Sequence, residues 1–253
     1  MKWNGSSETL RGATKSFDFS AFQQKTPYKI EHHHYYEWFV GFTEGDGAIL
    51  SSWSVDPRHK VPKKKQRLFF SLVQKEERIL HRIRAHLGFG QVQKHGKYFR
   101  YSVTKKEHLF LLFVLFNGNL VCQHRHTQLA VWAEYFNEPL KPRCFPICFF
   151  TTAWLSGFTD AEGCFSGRRF ILDQSNEKDI FVSLSVQCES KKLAFWKRKA
   201  AKSQHMYRFE LRDKQLLAKW FVPYFRKFRL QTQKATDYFR WRKAWFPELH
   251  AFG

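Results

Sequence analysis

Ten residues of this chain occur twice in nearly the same order. Residues 38–47 read WFVGFTEGDG and residues 154–163 read WLSGFTDAEG, 116 positions later. Trp, Gly, Phe and Thr recur in register, followed by an acid, a small residue, a second acid and Gly. A match that dense, separated by nearly half of a 253-residue chain, points to a duplicated unit, so the fold must have two like halves. Glu138-Pro139-Leu140-Lys141-Pro142 divides them, because two prolines break any helix. The expected organisation is an N-terminal extension over 1–34, a first repeat over 35–137, a linker over 138–152 and a second repeat over 153–253.

The residues behind each copy predict the same series of elements. After the first come a strand over Ala48 to Val55 and a basic hairpin loop (Arg58, Lys60, Lys63, Lys64, Lys65, Arg67). A second strand comes next, in which Leu68, Phe70 and Leu72 alternate with Phe69, Ser71 and Val73. A helix over Glu76 to Leu87 ends at Gly88 and Gly90. A hairpin around Gly96 joins Gln91–Gln93 to Tyr98–Val103, and helices resume over Lys105–Leu115 and Arg125–Phe136. The second half is expected to place strands at Cys164–Leu172 and Ile180–Gln187, a helix at Lys191–Ala201 and a strand at Met206–Leu211. Its closing helices are Lys214–Phe225 and Lys234–Trp245. Each half reads αββαββα, an α+β fold.

Charge narrows the partner. Lys and Arg number 43 against 22 Asp and Glu, a net +21 spread through the whole chain. Such a field draws polyanions, and nucleic acid fits it better than an anionic membrane surface. Charge alone does not separate a DNA enzyme from an RNA binder. Five cysteines at irregular spacing fit neither a disulfide framework nor a zinc pattern. The longest apolar run, Leu109 to Phe116, is too short to span a bilayer, and the N-terminus lacks an apolar secretory core. Residues 1–30 are acid-poor, in the manner of an organellar leader or the remnant of a fused reading frame. Three adjacent histidines, His32 to His34, cannot share one helix face and are expected to be solvated.

The motif itself carries chemistry. In a helix from about Tyr35 to Asp46, Gly41 and Gly45 lie on one face, and Gly157 and Ala161 take the same places in the second copy. Small faces let two helices approach closely, one from each half. Asp46 and Glu162 end their helices, with Gly47 and Gly163 behind them. A carboxylate at a helix C-terminus meets the partial negative charge of free carbonyls, and pairing two such ends sharpens the clash. A divalent cation resolves it, since carboxylate and carbonyl oxygens are ligands suited to Mg²⁺. Paired acids beside cations are equipped for metal-assisted phosphodiester hydrolysis.

The two motifs resemble those of the LAGLIDADG homing endonucleases, in the two-repeat, single-chain form encoded in organellar introns. The likeness covers most of residues 35–246. It implies saddle-shaped antiparallel sheets astride the DNA major groove, packed through the two motif helices as a monomer with internal pseudo-twofold symmetry. It implies Mg²⁺, with Mn²⁺ as a substitute, held by Asp46 and Glu162 with help from the carbonyls of Gly45 and Ala161. Glu44 and Asp160 are then structural. The family places a basic residue near the start of each final helix, which Lys234 and Arg125 match. It places a water-orienting polar residue at the end of the second strand, which falls to Gln74 and, in the second half, to Gln187. The strand alternation around Gln187 disagrees with that around Gln74, which leaves open a bulge or a different residue.

Specific recognition is expected from alternate strand residues. Counting in twos from Asp46 selects Ser52 and Ser54; Lys65, Arg67, Ser71, Gln93, His95 and Arg100 join them from the next strands, and Arg168 in the second half. The implied activity is double-strand cleavage of a long non-palindromic site, leaving short 3′ overhangs, in an organelle and in a mitochondrion rather than a chloroplast. The alternatives are an RNA maturase that assists splicing of its host intron and a DNA-binding regulator without catalysis.

Overall fold

The computed structural model describes residues 14–28, 33–56, 63–190, 195–199 and 205–250. The first half runs α2 (His33–Asp46), β1 (Gly47–Asp56), β2 (Lys63–Gln74), α3 (Glu77–Leu87), β3 (Gln91–His95), β4 (Tyr98–Val103), α4 (Lys106–Phe116) and α5 (Gln123–Phe136), preceded by a short α1 (Ser20–Lys25). The second half repeats the series with α6 (Trp154–Glu162), β5 (Gly163–Ser166), β6 (Arg169–Ser175), α7 (Lys178–Gln187), β7 (Phe195–Lys199) and β8 (His205–Leu211). Lys214 to Lys227 is helical, as α8 (Lys214–Leu216), a π turn (Leu217–Phe221) and α9 (Val222–Lys227); α10 (Lys234–Trp245) closes the half. Each half carries one antiparallel four-stranded sheet, in the orders β1-β2-β4-β3 and β5-β6-β8-β7. The two-repeat α+β expectation is borne out.

Local chemistry explains the first half. The α3 stripe of Ile79, Leu80, Ile83 and Leu87 is buried, as a helical period requires. Gly88, at φ 77°, ends it in the left-handed conformation. In the sheet, Ile49 stands opposite Phe70, and Leu72 opposite Tyr101. These residues are buried and fix the face that α3 and α4 cover.

The second half departs from expectation at three places. Cys164–Leu172 is a tight hairpin rather than one strand: Ser166-Gly167-Arg168-Arg169 turns, with Gly167 at φ 55°. The whole set shifts by one element in consequence. Ile180–Gln187 lies in α7, where Ile180, Phe181 and Leu184 are buried at helical spacing. Lys191–Ala201, expected as a helix, contains strand β7. The apolar run there serves either period, and only the missed turn decides between them.

The N-terminal extension is partly integral. Phe17, Phe19 and Phe22 are buried, and Phe22 meets Tyr36 of α2 with ring centroids 5.4 Å apart. Asn119 exchanges two 2.8 Å hydrogen bonds with the Asp18 backbone. Phe17, Phe19 and Phe22 therefore join the first half's core, and residues 1–13 of the stretch 1–30 read as leader-like lie outside the described residues. So does the hairpin tip that includes Arg58 and Lys60. All five cysteines are free, as expected. No described helix is long and apolar enough to cross a membrane.

The two halves meet through α2 and α6. A Cβ built on Gly157 would lie 1.9 Å from the Trp38 carbonyl oxygen, and one on Gly41 would lie 2.1 Å from that of Trp154. One on Gly45 would meet the Ala161 Cβ at 2.2 Å. The glycines thus allow backbone-to-backbone contact, and Ala161 fits only because Gly45 faces it. Gly157→Ala should cost about 3 kcal/mol or more, since no side chain can give way. Gly96→Ala, at φ 63° but with open space around it, should cost about 1–2 kcal/mol from backbone strain alone. Urea unfolding of the two variants tests this; equal losses would contradict the contact.

Candidate active site

Asp46 and Glu162 stand at the C-terminal ends of α2 and α6, which the glycine contact brings side by side. Asp46 keeps exposed surface, while Glu162 is half-buried. Burial pushes both carboxyls up, Glu162 to about 7, with the Asp46 charge adding to the effect. Gln74 Nε2 donates to Asp46 Oδ2 at 2.6 Å and acts in the opposite direction.

The first acid of each motif has a different task. Glu44 is fully buried and accepts from the amides of Val121 and Cys122 at 2.8 and 2.6 Å. It also accepts from Trp154 Nε1, the tryptophan of the other motif. Asp160 does the same in mirror: it accepts from Trp38 Nε1 at 2.8 Å, from the Gln231 and Thr232 amides at 2.7 and 3.1 Å, and from the Thr232 hydroxyl. Each acid therefore ties the opposite motif helix to the start of its own half's last helix. Burial raises the Glu44 carboxyl to about 8. Every described hydrogen bond it makes is one it accepts, which favours the anion. The expected structural role of Glu44 and Asp160 agrees with this placement.

Those clamps place the two basic residues. Arg125, three residues past Cys122, donates to the carbonyls of Glu44 and Gly45 at 3.2 and 3.0 Å. Lys234, two past Thr232, donates to the carbonyls of Thr159 and Ala161 at 3.3 and 2.5 Å. The cations thus cover the free carbonyls at the helix ends. The Gly45 and Ala161 carbonyls, expected to assist a metal, are held by Arg125 and Lys234. Burial lowers both basic groups, against the pull of Asp46 and Glu162.

Gln187 is not at this site. It ends α7, accepts from the Phe149 amide at 2.9 Å and donates to the Ile147 carbonyl at 2.8 Å, which secures the linker. The counterpart of Gln74 is Gln174. Both stand two residues past the leucine that pairs with the glycine behind the motif acid, Leu72 with Gly47 and Leu172 with Gly163. Gln174 is buried, and its Nε2 lies 3.5 Å from the Glu44 carbonyl. The signal that finds it is the Gly167 turn, which makes Gln174 the end of a second strand.

The first sheet gathers the expected contact residues on one face. Ser52 stands opposite Arg67, Ser54 opposite Lys65, and Ser71 opposite Ser102. Arg100 lies between Val73 and Gln93, and His95 opposite Tyr98. Partners in an antiparallel ladder share a face. This one is opposite to that of Phe70, Leu72 and Tyr101. Arg168 falls elsewhere: in the β5–β6 turn, its guanidinium stacks 4.4 Å over Trp245 of α10. The equivalent open face of the second sheet carries Arg169, Asp173 and Arg208 instead. There Arg208 grips Asp173 through two bonds of 2.7 and 2.6 Å, and Arg169 lies 3.8 Å from Glu210. His33 and His34, expected to be solvated, are exposed, yet both meet Glu37, at 3.2 and 3.0 Å. His32 lies outside the described residues.

The raised Glu162 carboxyl has a consequence for the metal-free protein. Its stabilising share is complete below about 4.3, the ordinary Glu value, and is lost as pH rises through about 7. Glu162→Gln should therefore be more stable than the parent at pH 8, by roughly 1–2 kcal/mol. The advantage should disappear near pH 4.5. Urea unfolding in chelator at both pH values checks this; an advantage independent of pH would contradict it.

The LAGLIDADG endonuclease family profile matches residues 39–136 and 155–245, one stretch in each half. A probable intron-encoded endonuclease 4 of Neurospora crassa is 31% identical over 230 residues, 81% of this chain and 39% of that protein. The chain thus spans about 39% of the length of that curated relative. Among solved structures, the I-LtrWI LAGLIDADG homing endonuclease bound to target DNA superposes with TM-score 0.68 at 13% identity, covering 84% of this chain and 89% of its own. I-CpaMI, a LAGLIDADG meganuclease bound to uncleaved DNA, gives 0.60 at 16%, over 82% and 90%. I-SmaMI, bound to an uncleaved DNA target in the presence of calcium ions, gives 0.63 at 15%, over 85% and 92%. Those structures share the fold, and the sequence matches over both repeats supply the rest: the chain belongs to the LAGLIDADG endonuclease family.

Proposed function

We propose that this chain is a site-specific DNA endonuclease that hydrolyses both strands of a long, imperfectly symmetric duplex site. The observation that carries the reading is the pair Asp46 and Glu162, held side by side at the ends of two abutting helices with Lys234 and Arg125 beside them. Two carboxylates with raised proton affinity, brought together at the ends of abutting helices, suit a hard divalent cation. Mg²⁺, or Mn²⁺ in its place, would be held by Asp46 and Glu162. When bound, it supplies an activated water and stabilises the leaving oxygen.

The chain's own groups do the rest. Lys234 and Arg125 flank the acids where scissile phosphates would lie, and their cationic heads can move from helix carbonyls to phosphate oxygens. Gln74 and Gln174 offer amides that orient water at the end of β2 and β6. The exposed faces of the two sheets read the groove. Lys65, Arg67, Arg100, Arg169 and Arg208 suit phosphate or guanine contacts there, and Ser52, Ser54, Ser71, Gln93 and His95 suit base edges. Two unlike halves call for a non-palindromic target. Intron homing in an organelle fits the intron-encoded relative, and short 3′ overhangs are what the family resemblance implies. A mitochondrion fits a fungal relative better than a chloroplast does. The splicing-factor reading rests on the family resemblance alone.

Cleavage selection over a randomised DNA library supplies the target. On that target, Asp46→Asn and Glu162→Gln should each lower double-strand cleavage at least about a thousandfold in Mg²⁺, or about 4 kcal/mol in the barrier. Binding in Ca²⁺ should change only a few-fold. Full cutting by either variant would overturn the paired-acid reading.

The two glutamines make a sharper test. Gln174→Ala should slow cleavage about tenfold or more, with a stability loss of about 1 kcal/mol from the bonds it makes to the Ser175 amide and the Glu44 carbonyl. Gln187→Ala should leave the rate alone and lose about 1–2 kcal/mol of stability, because it strands the Phe149 amide and the Ile147 carbonyl. Single-turnover rates and urea midpoints of both variants separate the roles; a slow Gln187→Ala with normal stability would restore it to the site.

A further inference from the structure

At the other end of the α2/α6 pair the halves line an open cavity of about 570 Å³. His34 lines it, twelve residues before Asp46 along α2, which is about 18 Å of helix. The cavity is therefore separate from the paired acids and belongs to neither open sheet face.

Its chemistry is one-sided. Arg82 and His86 come from α3, Lys227 from the end of α9, and Arg229 from the loop behind it. None of its described lining residues is acidic. Among the described residues, Arg82, Lys227 and Arg229 enter no ion pair with a carboxylate. Two carboxylates lie behind the lining and are engaged with it: Glu37 with His34 and the Ala153 amide, and Asp160 with Trp38 and the Gln231 amide, which leaves Arg82, Lys227 and Arg229 without a carboxylate partner.

One further feature points to an anion. Helices α2 and α6 both begin here, so the positive ends of both dipoles converge on the cavity.

We infer that this cavity binds a phosphate-bearing anion. Arg82 and Arg229 offer planar forks for phosphate oxygens, and Lys227 adds a point charge. Arg82 already donates to Gln231 of the other half at 3.3 Å, so an occupied cavity would brace the two halves at the end remote from the acids. The phosphate can come from a free phosphomonoester or from the phosphodiester of a nucleic-acid strand.

Calorimetric titration of the full chain at constant ionic strength tests this with three probes: inorganic phosphate, a nucleoside 5′-monophosphate, and a short single-stranded oligonucleotide without terminal phosphates. Saturable one-to-one binding is expected for at least one of them. It should weaken tenfold or more in Lys227→Ala/Arg229→Ala, whose positions are exposed and outside the core. It should persist in Lys94→Ala/Lys97→Ala on the β3–β4 hairpin. Binding of the monoesters alone identifies a free phosphorylated ligand, and binding of the oligonucleotide alone identifies a strand. No saturable binding by any probe, or equal weakening in both double variants, overturns the inference.

Discussion

The contact between α2 and α6 is the constraint on which the rest of the molecule depends. Gly41 and Gly157 let each helix lie against the other's carbonyls, so neither half is complete alone. The same contact buries two carboxylates, Glu44 and Asp160, each gripped by the tryptophan of the opposite motif. A buried charge is tolerable only when donors surround it, and here backbone amides at the starts of the last helices provide them. Glu177 adds a further link across the halves. Buried on the loop before α7, it accepts from the amides of Gln123 and His124 at the start of α5.

Function is paired to that scaffold two residues further on. The clamp acids at 44 and 160 satisfy themselves within the protein; the acids at 46 and 162 are left facing one another at the helix ends. Burial raises the proton affinity of both, and the Asp46 charge adds to the effect at Glu162. Lys234 and Arg125 pull the other way through space, while their hydrogen bonds go to helix carbonyls. The site therefore carries a standing electrostatic cost in the free protein, which a metal and a phosphate backbone would relieve. Sites built for chemistry are often less stable than they could be for this reason.

Much of this was legible in the residues. The repeat located both motif helices, because two acids, two small residues and a tryptophan at fixed spacing serve a contact that tolerates little change. Counting in twos from Asp46 selected Ser52 and Ser54, and the ladder puts them on one face with Arg67 and Lys65, because side-chain alternation along a strand is strict. The Gly167 turn was the feature that escaped. Its hairpin is far shorter than the counterpart in the first half, and an apolar run such as Ile180–Gln187 suits strand and helix alike. That single miss moved the second-half glutamine from Gln174 to Gln187 and put Arg168 on a face it does not occupy. The Trp38–Asp160 and Trp154–Glu44 clamps were invisible for a different reason: long-range partners of a buried acid have no local sequence signature.

The central claim is that the helix contact brings Asp46 and Glu162 to one shared metal-binding end. Anomalous scattering from Mn²⁺ in crystals of the protein with its target DNA tests it most directly. Metal peaks within about 2.2 Å of both carboxylates are the predicted result. Peaks that touch only one acid, or that lie away from both helix ends, would contradict it.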